Sequence, residues 1–237
     1  MHNLDQLDND WGCSHQNYCN TSDIKACIVK ITDLEKISEK LTESVLNTSW
    51  MLNLDSATQR SYTYTARDTA NALVEIFKKF SDDHQLGAEF GEIMVSISSA
   101  RSLSVIFKHI ALPIAEIWKP QVKQNEGFDF HTVCTGSLIN FGEAKFSGSI
   151  NPHGKAIPQA EGFINEDKHF RDRVHLINLV SKESINNLDD DKFGAIAAFS
   201  INSEDYTSIM DNALESIKKS DLLNKVECAY LVGVIVC

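Results

Sequence analysis

With 237 residues, 43% of them hydrophobic and 23% charged, the chain is long enough for one sizeable core and too apolar for wholesale disorder. Its 33 acidic residues against 22 lysines and arginines give a formal net charge of −11, which argues against autonomous, backbone-driven capture of nucleic acid. There is no Walker-type glycine loop and no G-x-S-x-G elbow, and neither a signal peptide nor an apolar run of transmembrane length is expected. ATP chemistry and serine hydrolysis are therefore set aside, and the six cysteines are expected as free thiols in a cytoplasmic protein.

In chain order, residues 1–30 are expected as a loop-rich lead-in, because Met1 to Ile24 is polar and shows no sustained period, and residues 31–237 as one α/β domain with a helical N-terminal half. Cys13, His15, Cys19 and Cys27 lack the paired C-x2-C knuckle of structural zinc sites, so no zinc is expected there. From Thr32, a capping-box pattern followed by Leu34, Ile37, Leu41 and Val45 predicts an amphipathic helix to Asn47. A polar connection with a strand-like end at SYTYT comes next. Ala70, Leu73, Ile76, Phe77 and Phe80 then mark a second helix, broken at Asp82-Asp83-His84.

The third predicted helix, Gln85 to Ser98, carries Glu89 and Glu92 three apart on one face beside Phe90, Ile93, Met94 and Ile97. Ser102 to Trp118 reads as a further apolar helix, kinked or split at Pro113, and Gln121 to Gly127 as a polar approach to a strand pair.

Phe128–Ser147, FDFHTVCTGSLINFGEAKFS, reads as two short strands about a turn at Thr135-Gly136-Ser137. Glu143 and Lys145 are two apart on the second strand and share a face, a costly placement inside an apolar strand unless the pair has a task. A two-residue turn sends Asp129 to the wrong face. A three-residue loop, with Gly136 or Ser137 left-handed, sets Asp129 opposite Glu143. Two carboxylates able to hold Mg2+, beside an ammonium that steers or helps deprotonate water, are what metal-dependent phosphodiester cleavage requires. Standing alone, an E-x-K pair also reads as a solvated edge face. Asp129 at hairpin distance and the acidic helix upstream favour the site.

The order Asp129, Glu143, Lys145 resembles the PD-(D/E)xK nuclease superfamily, although Phe128 stands where the name has proline. GEAKFS, GFDFH and LGAEFGEIMVSI together resemble the HamA-type nuclease family of Hachiman antiphage defence systems, from Leu86 onward. The resemblance implies a restriction-endonuclease-like core and a bacterial, Mg2+-dependent nuclease, with Mn2+ as a substitute, cleaving DNA alongside a superfamily 2 helicase. It also implies a glutamate on the preceding helix that reaches the metal or its water, with Glu92 the choice and Glu89 the reserve.

Downstream, GSINPHG is turn chemistry at the rim, and Pro158 suits the first turn of a helix carrying Gln159, where related nucleases hold a residue against DNA. Phe170–Val180 is predicted helical, with Arg171 and Arg173 as phosphate-contact candidates. Lys192–Ser200 is strand or buried helix, Glu204–Lys219 a helix and Val226–Cys237 a buried central strand. Local basic groups fall at Lys108, His109, Lys119 and Lys123 and at His169, Arg171, Arg173 and His175. The fold expected is α/β, a small mixed sheet flanked by helices, with a helical N-terminal part.

Overall fold

The computed structural model describes residues 5–83, 87–119, 127–147 and 153–236. Three strands come first, Gln6–Asp8 (β1), Cys13–Asn20 (β2) and Ile24–Ile31 (β3), followed by helices Leu34–Leu46 (α1), Ser56–Asp83 (α2) and Ala88–Phe107 (α3). Short β4 (Ile110–Ala111) and α4 (Ala115–Trp118) lead to the hairpin Phe130–Val133 (β5) and Ile139–Lys145 (β6). Helices His153–Asn165 (α5), Lys168–Leu176 (α6) and Lys182–Asp189 (α7) precede Gly194–Ile201 (β7), Tyr206–Lys219 (α8) and Cys228–Val236 (β8).

The eight strands among the described residues join one mixed sheet in the order β1-β2-β3-β8-β7-β6-β5-β4, flanked by helices. The middle four are mutually parallel, and antiparallel pairs finish each side. GAIAAFSI of β7 is buried throughout and CAYLVGVIV of β8 nearly so, the continuous apolar character that parallel strands covered on both faces require. Strand, rather than buried helix, is thus the outcome for residues 194–201.

The sheet is larger than the small one expected, because the presumed loop-rich lead-in supplies β1, β2 and β3. Polar CSHQNYCN forms β2 because its outer half is only partly covered, so no apolar alternation marks it. The strand-like SYTYT lies inside α2, where Tyr62, Ala66, Ala70, Leu73 and Phe77 recur at helical spacing and are buried. The break expected near Ser98 does not occur either. α3 runs through SISSARS because its serines lie against the sheet, where Ser102 Oγ donates to Cys27 Sγ of β3 at 3.3 Å. The helix expected from Ser102 to Trp118 stops at Phe107, where Lys108 takes the left-handed conformation with φ 62°, and β4 separates it from the single turn α4, so the break falls before Pro113. Pro158 falls in the interior of α5 and not its first turn. The side chain of Phe80, the stretch 121–126 with Lys123, and most of the GSINPHG loop (148–152) lie outside the described residues.

Candidate metal and active site

The hairpin closes as a three-residue loop. Cys134 N–H donates to Leu138 O at 3.0 Å, and Ser137 takes the left-handed conformation with φ 58°. Val133 pairs with Ile139 and Phe130 with Gly142, the register in which the next position sets Asp129 across from Glu143.

Asp129 departs from expectation in one respect. Its N–H donates to Gly142 O at 2.9 Å, and its Oδ2 accepts the Ala144 N–H at 2.7 Å. A strand N–H lies in the plane of the sheet, so this carboxylate sits at the edge of β6 where β5 has ended, instead of standing on the face. It satisfies a backbone donor that would otherwise have lost its partner there.

Glu143 and Lys145 leave the same face of β6, and Glu143 Oε1 lies 2.6 Å from Lys145 Nζ. Glu143 is 1% exposed, and its Oε2 has no hydrogen-bond partner among the described residues. Glu92 comes from α3, its Oε1 3.8 Å from the same ammonium. Its neighbour Gly91 sets that approach, because a Cβ there would run into the ring of Phe146 at the end of β6. Glu89 is exposed in the first turn of α3.

A further carboxylate, Glu116 of α4, escaped the sequence reading. Ala115 N–H donates to Asp129 O at 2.9 Å and Trp118 Nε1 to Pro113 O at 3.0 Å, which fixes this turn against the start of β5. Glu116 Oε2 is enclosed and has no partner among the described residues. The signal was a charged residue between Ala115 and Ile117 just after a proline, hidden by an apolar stripe that ran across Pro113.

Asp129, Glu143 and Glu92 thus act on one another and on Lys145, while Glu116 feels Asp129, Glu92 and Lys119. Burial, then the charge of Asp129, pushes Glu143 up to about 8. Burial, then Asp129 again, pushes Glu116 up to about 8. Asp129 rises to about 6, chiefly through burial, against the lowering effect of the Ala144 N–H and Lys145. Burial works against the Lys145 charge, but Glu143, Asp129 and Glu92 outweigh it and raise its pKa. The cluster has more carboxylate than one ammonium neutralises.

The expected basic patches are largely consumed inside the protein. His109 is buried against Thr132 Oγ1 at 2.9 Å, and Lys119 is buried, donating to Phe128 O and pairing with Asp172, both at 2.9 Å. His169 stacks on Phe193, His175 bonds Tyr62 at 2.9 Å, and Arg173 is held by Asp189. Lys108 and Arg171 remain exposed.

Away from this site, Asp8, Cys13 and His15 place their ligand atoms within 4.8 Å of one another, a buried group that could hold a metal ion. A 330 Å3 cavity lined by Trp11, Trp50, Arg101 and Pro113 contains no carboxylate. Comparison with protein-family models, with curated proteins and with solved structures returned no match. Against the expectation of no such run, one helix among the described residues, α3, is long and apolar enough to cross a membrane, and it is mostly buried in the fold, as a core helix is.

Proposed function

We propose that the chain is a divalent-metal-dependent nuclease of the PD-(D/E)xK type, with a restriction-endonuclease-like core. The observation that carries this reading is the carboxylate surplus at the open end of the β5–β6 hairpin, where Glu143 Oε2 and Glu116 Oε2 are enclosed without partners among the described residues. Hard oxygen donors without hydrogen-bond partners suit Mg2+, and Mn2+ in its place, with Asp129 and Glu143 as ligands once an ion displaces their protons. The bound ion would supply Lewis-acid stabilisation of charge building on a phosphate.

The chain's own groups do the remainder. Asp129 caps the edge of β6 at the Ala144 N–H while presenting its other carboxylate oxygen. Lys145, tied to Glu143 and Glu92, orients the attacking water and steadies negative charge. Glu92, half-exposed at the rim, tunes that water, and Glu116 adds a carboxyl that keeps its proton until an ion arrives.

With a net charge of −11, and with His109, Lys119, Arg173 and His175 of its two expected basic patches committed to bonds within the protein, the chain has little with which to hold a phosphate backbone. A partner that presents DNA meets this need, and the resemblance of GEAKFS and LGAEFGEIMVSI to the HamA-type family makes that partner a superfamily 2 helicase in antiphage defence. Degradation of plasmid and oligonucleotide DNA with Mg2+, by the chain alone and with any superfamily 2 helicase encoded beside it, tests the proposal. Cleavage that EDTA stops and Glu143→Ala abolishes is the expected result. Parental rates in both Glu143→Ala and Lys145→Ala contradict the site. A parent that cuts nothing in either setting leaves a non-catalytic docking module, and an active chain with no helicase gene beside it leaves a restriction or repair nuclease.

A further inference from the structure

The opposite edge of the sheet carries a second arrangement of metal-binding atoms, unrelated to the carboxylates. Cys13 and His15 are two apart on β2 and share a face, and Asp8 of β1 is the direct cross-strand partner of Cys13. Backbone pairing alone therefore aims a thiol, an imidazole and a carboxylate at one point. Cys13 Sγ lies 3.6 Å from His15 Nε2, and His15 Nε2 lies 3.3 Å from Asp8 Oδ2. Bond lengths to zinc of about 2.3 Å for sulfur, 2.0–2.1 Å for nitrogen and 2.0–2.2 Å for oxygen, at tetrahedral angles, require ligand separations of roughly 3.6 Å for S···N and roughly 3.4 Å for N···O. Both observed separations match.

Hydrogen bonding accounts for the trio poorly. Thiol and carboxylate both approach the same nitrogen, Nε2, while Nδ1 of this fully buried ring has no partner among the described residues. If Nε2 carries the proton it serves Asp8 and leaves Nδ1 an orphan acceptor. If Nε2 is bare it accepts from Cys13 but faces an anionic oxygen. A cation bound by all three atoms removes the conflict at Nε2. A cysteine–histidine–aspartate triad is ruled out by the same geometry, since a catalytic histidine must use its two nitrogens for its two partners. The Cys13 thiol, pushed up to about 12 by burial and by Asp8, is no free nucleophile either.

We propose that Asp8, Cys13 and His15 form a tetrahedral zinc site with three protein ligands that pins the short edge strand β1 onto β2. Zinc suits the mixed sulfur, nitrogen and oxygen set, which Mg2+ does not, and it takes the thiol as thiolate. Asp8, 10% exposed beside enclosed His15, marks the side on which a water completes the coordination. Arg101 Nε donates to Asp8 Oδ2 at 2.8 Å from α3 and orients that ligand.

The test uses the full chain, purified without a histidine tag, offered excess Zn2+ and desalted. The expected result is about one zinc per chain. Co2+ in its place should give a thiolate-to-metal charge-transfer band. Cys13→Ser and Asp8→Asn should lose the band and weaken zinc retention at least tenfold, whereas Glu143→Ala should keep both. A folded parent that retains no zinc and shows no cobalt–thiolate band overturns the proposal, as does a Cys13→Ser variant that binds zinc like the parent. If Cys13→Ser does not fold, the parent's band and the Asp8→Asn variant still decide.

Discussion

Two buried charged clusters flank the segment Phe128–Asp129–Phe130, and they are built on opposite principles. On one side Lys119 bonds Phe128 O and Asp172 Oδ1, and Asp172 Oδ2 accepts from His131 Nε2 at 2.9 Å, so each formal charge has a partner. Burial alone would raise the Asp172 pKa, but His131 and Lys119 outweigh it and hold the carboxyl below its usual value. On the other side Asp129, Glu143 and Glu92 act on Lys145, Glu116 feels Asp129 and Glu92, and three of the four carboxyls are driven above the usual carboxylate range. A closed network of this kind anchors structure. A network left short of positive charge is unfavourable in itself and makes sense as a receptacle for a cation.

The largest expected effect lies on the surplus side. Glu143→Ala and Lys145→Ala should each lower Mg2+-dependent cleavage by on the order of a thousandfold or more while circular dichroism stays that of the parent. Asp129→Asn keeps a group able to accept the Ala144 N–H, and so tests the carboxylate's charge without opening the strand edge.

On the closed side the effect should be stability. Lys119→Met leaves Asp172 without its ammonium and Phe128 O without its donor, and should cost about 3–5 kcal/mol in urea unfolding. A loss under about 1 kcal/mol, the range of an exposed pair, would erase the distinction between the two clusters.

A subtler contrast is in pH. Glu143 holds its proton to about pH 8 when folded and to about 4.5 when unfolded, so between these values the folded chain binds more protons. Metal-free stability therefore falls as pH rises through that window. Glu143→Gln removes this contribution, although Asp129, Glu92 and Lys145 still face the position. Relative to the parent, the variant should gain on the order of a few kcal/mol between about pH 5 and pH 8, shown by urea midpoints without metal. The buried histidines, held neutral, impose the opposite slope at acid pH and cancel in the difference.

Smallest of all, Glu92→Ala should slow cleavage by about tenfold if it only tunes the water, and Glu89→Ala should leave the rate unchanged. Equal effects of the two would undo the assignment made from the 3.8 Å approach of Glu92 to Lys145.

Local chemistry made the hairpin legible. A glycine-centred break between β-prone runs left few loops, and only an odd one kept Asp129 in register with Glu143. The terminal strand was legible for a similar reason, since VECAYLVGVIVC has nowhere to go but a covered parallel position. β2 was missed because pairing with β1 and β3, which no short-range pattern records, decides that CSHQNYCN is a strand, and the apolar run of β3 was passed over with the polar stretch before it. Glu116 was missed because its role arises from a turn created by Pro113, and Lys119 because its partners Phe128 and Asp172 are nine and 53 residues away in the chain. The Asp8–Cys13–His15 group was invisible to spacing rules for the same cause. One of its members lies on the neighbouring strand.

The central claim, that the carboxylate surplus is a site for a hard divalent cation, is tested most directly by electron paramagnetic resonance of Mn2+ titrated into the protein at about pH 7.5, where free and bound ion differ in signal. The account predicts saturable loss of the free-ion signal, with Mg2+ competing, in the parent and in Cys13→Ser, and none in a chain carrying both Asp129→Asn and Glu143→Gln. Undiminished binding by that double variant, or no binding by the folded parent, would contradict it.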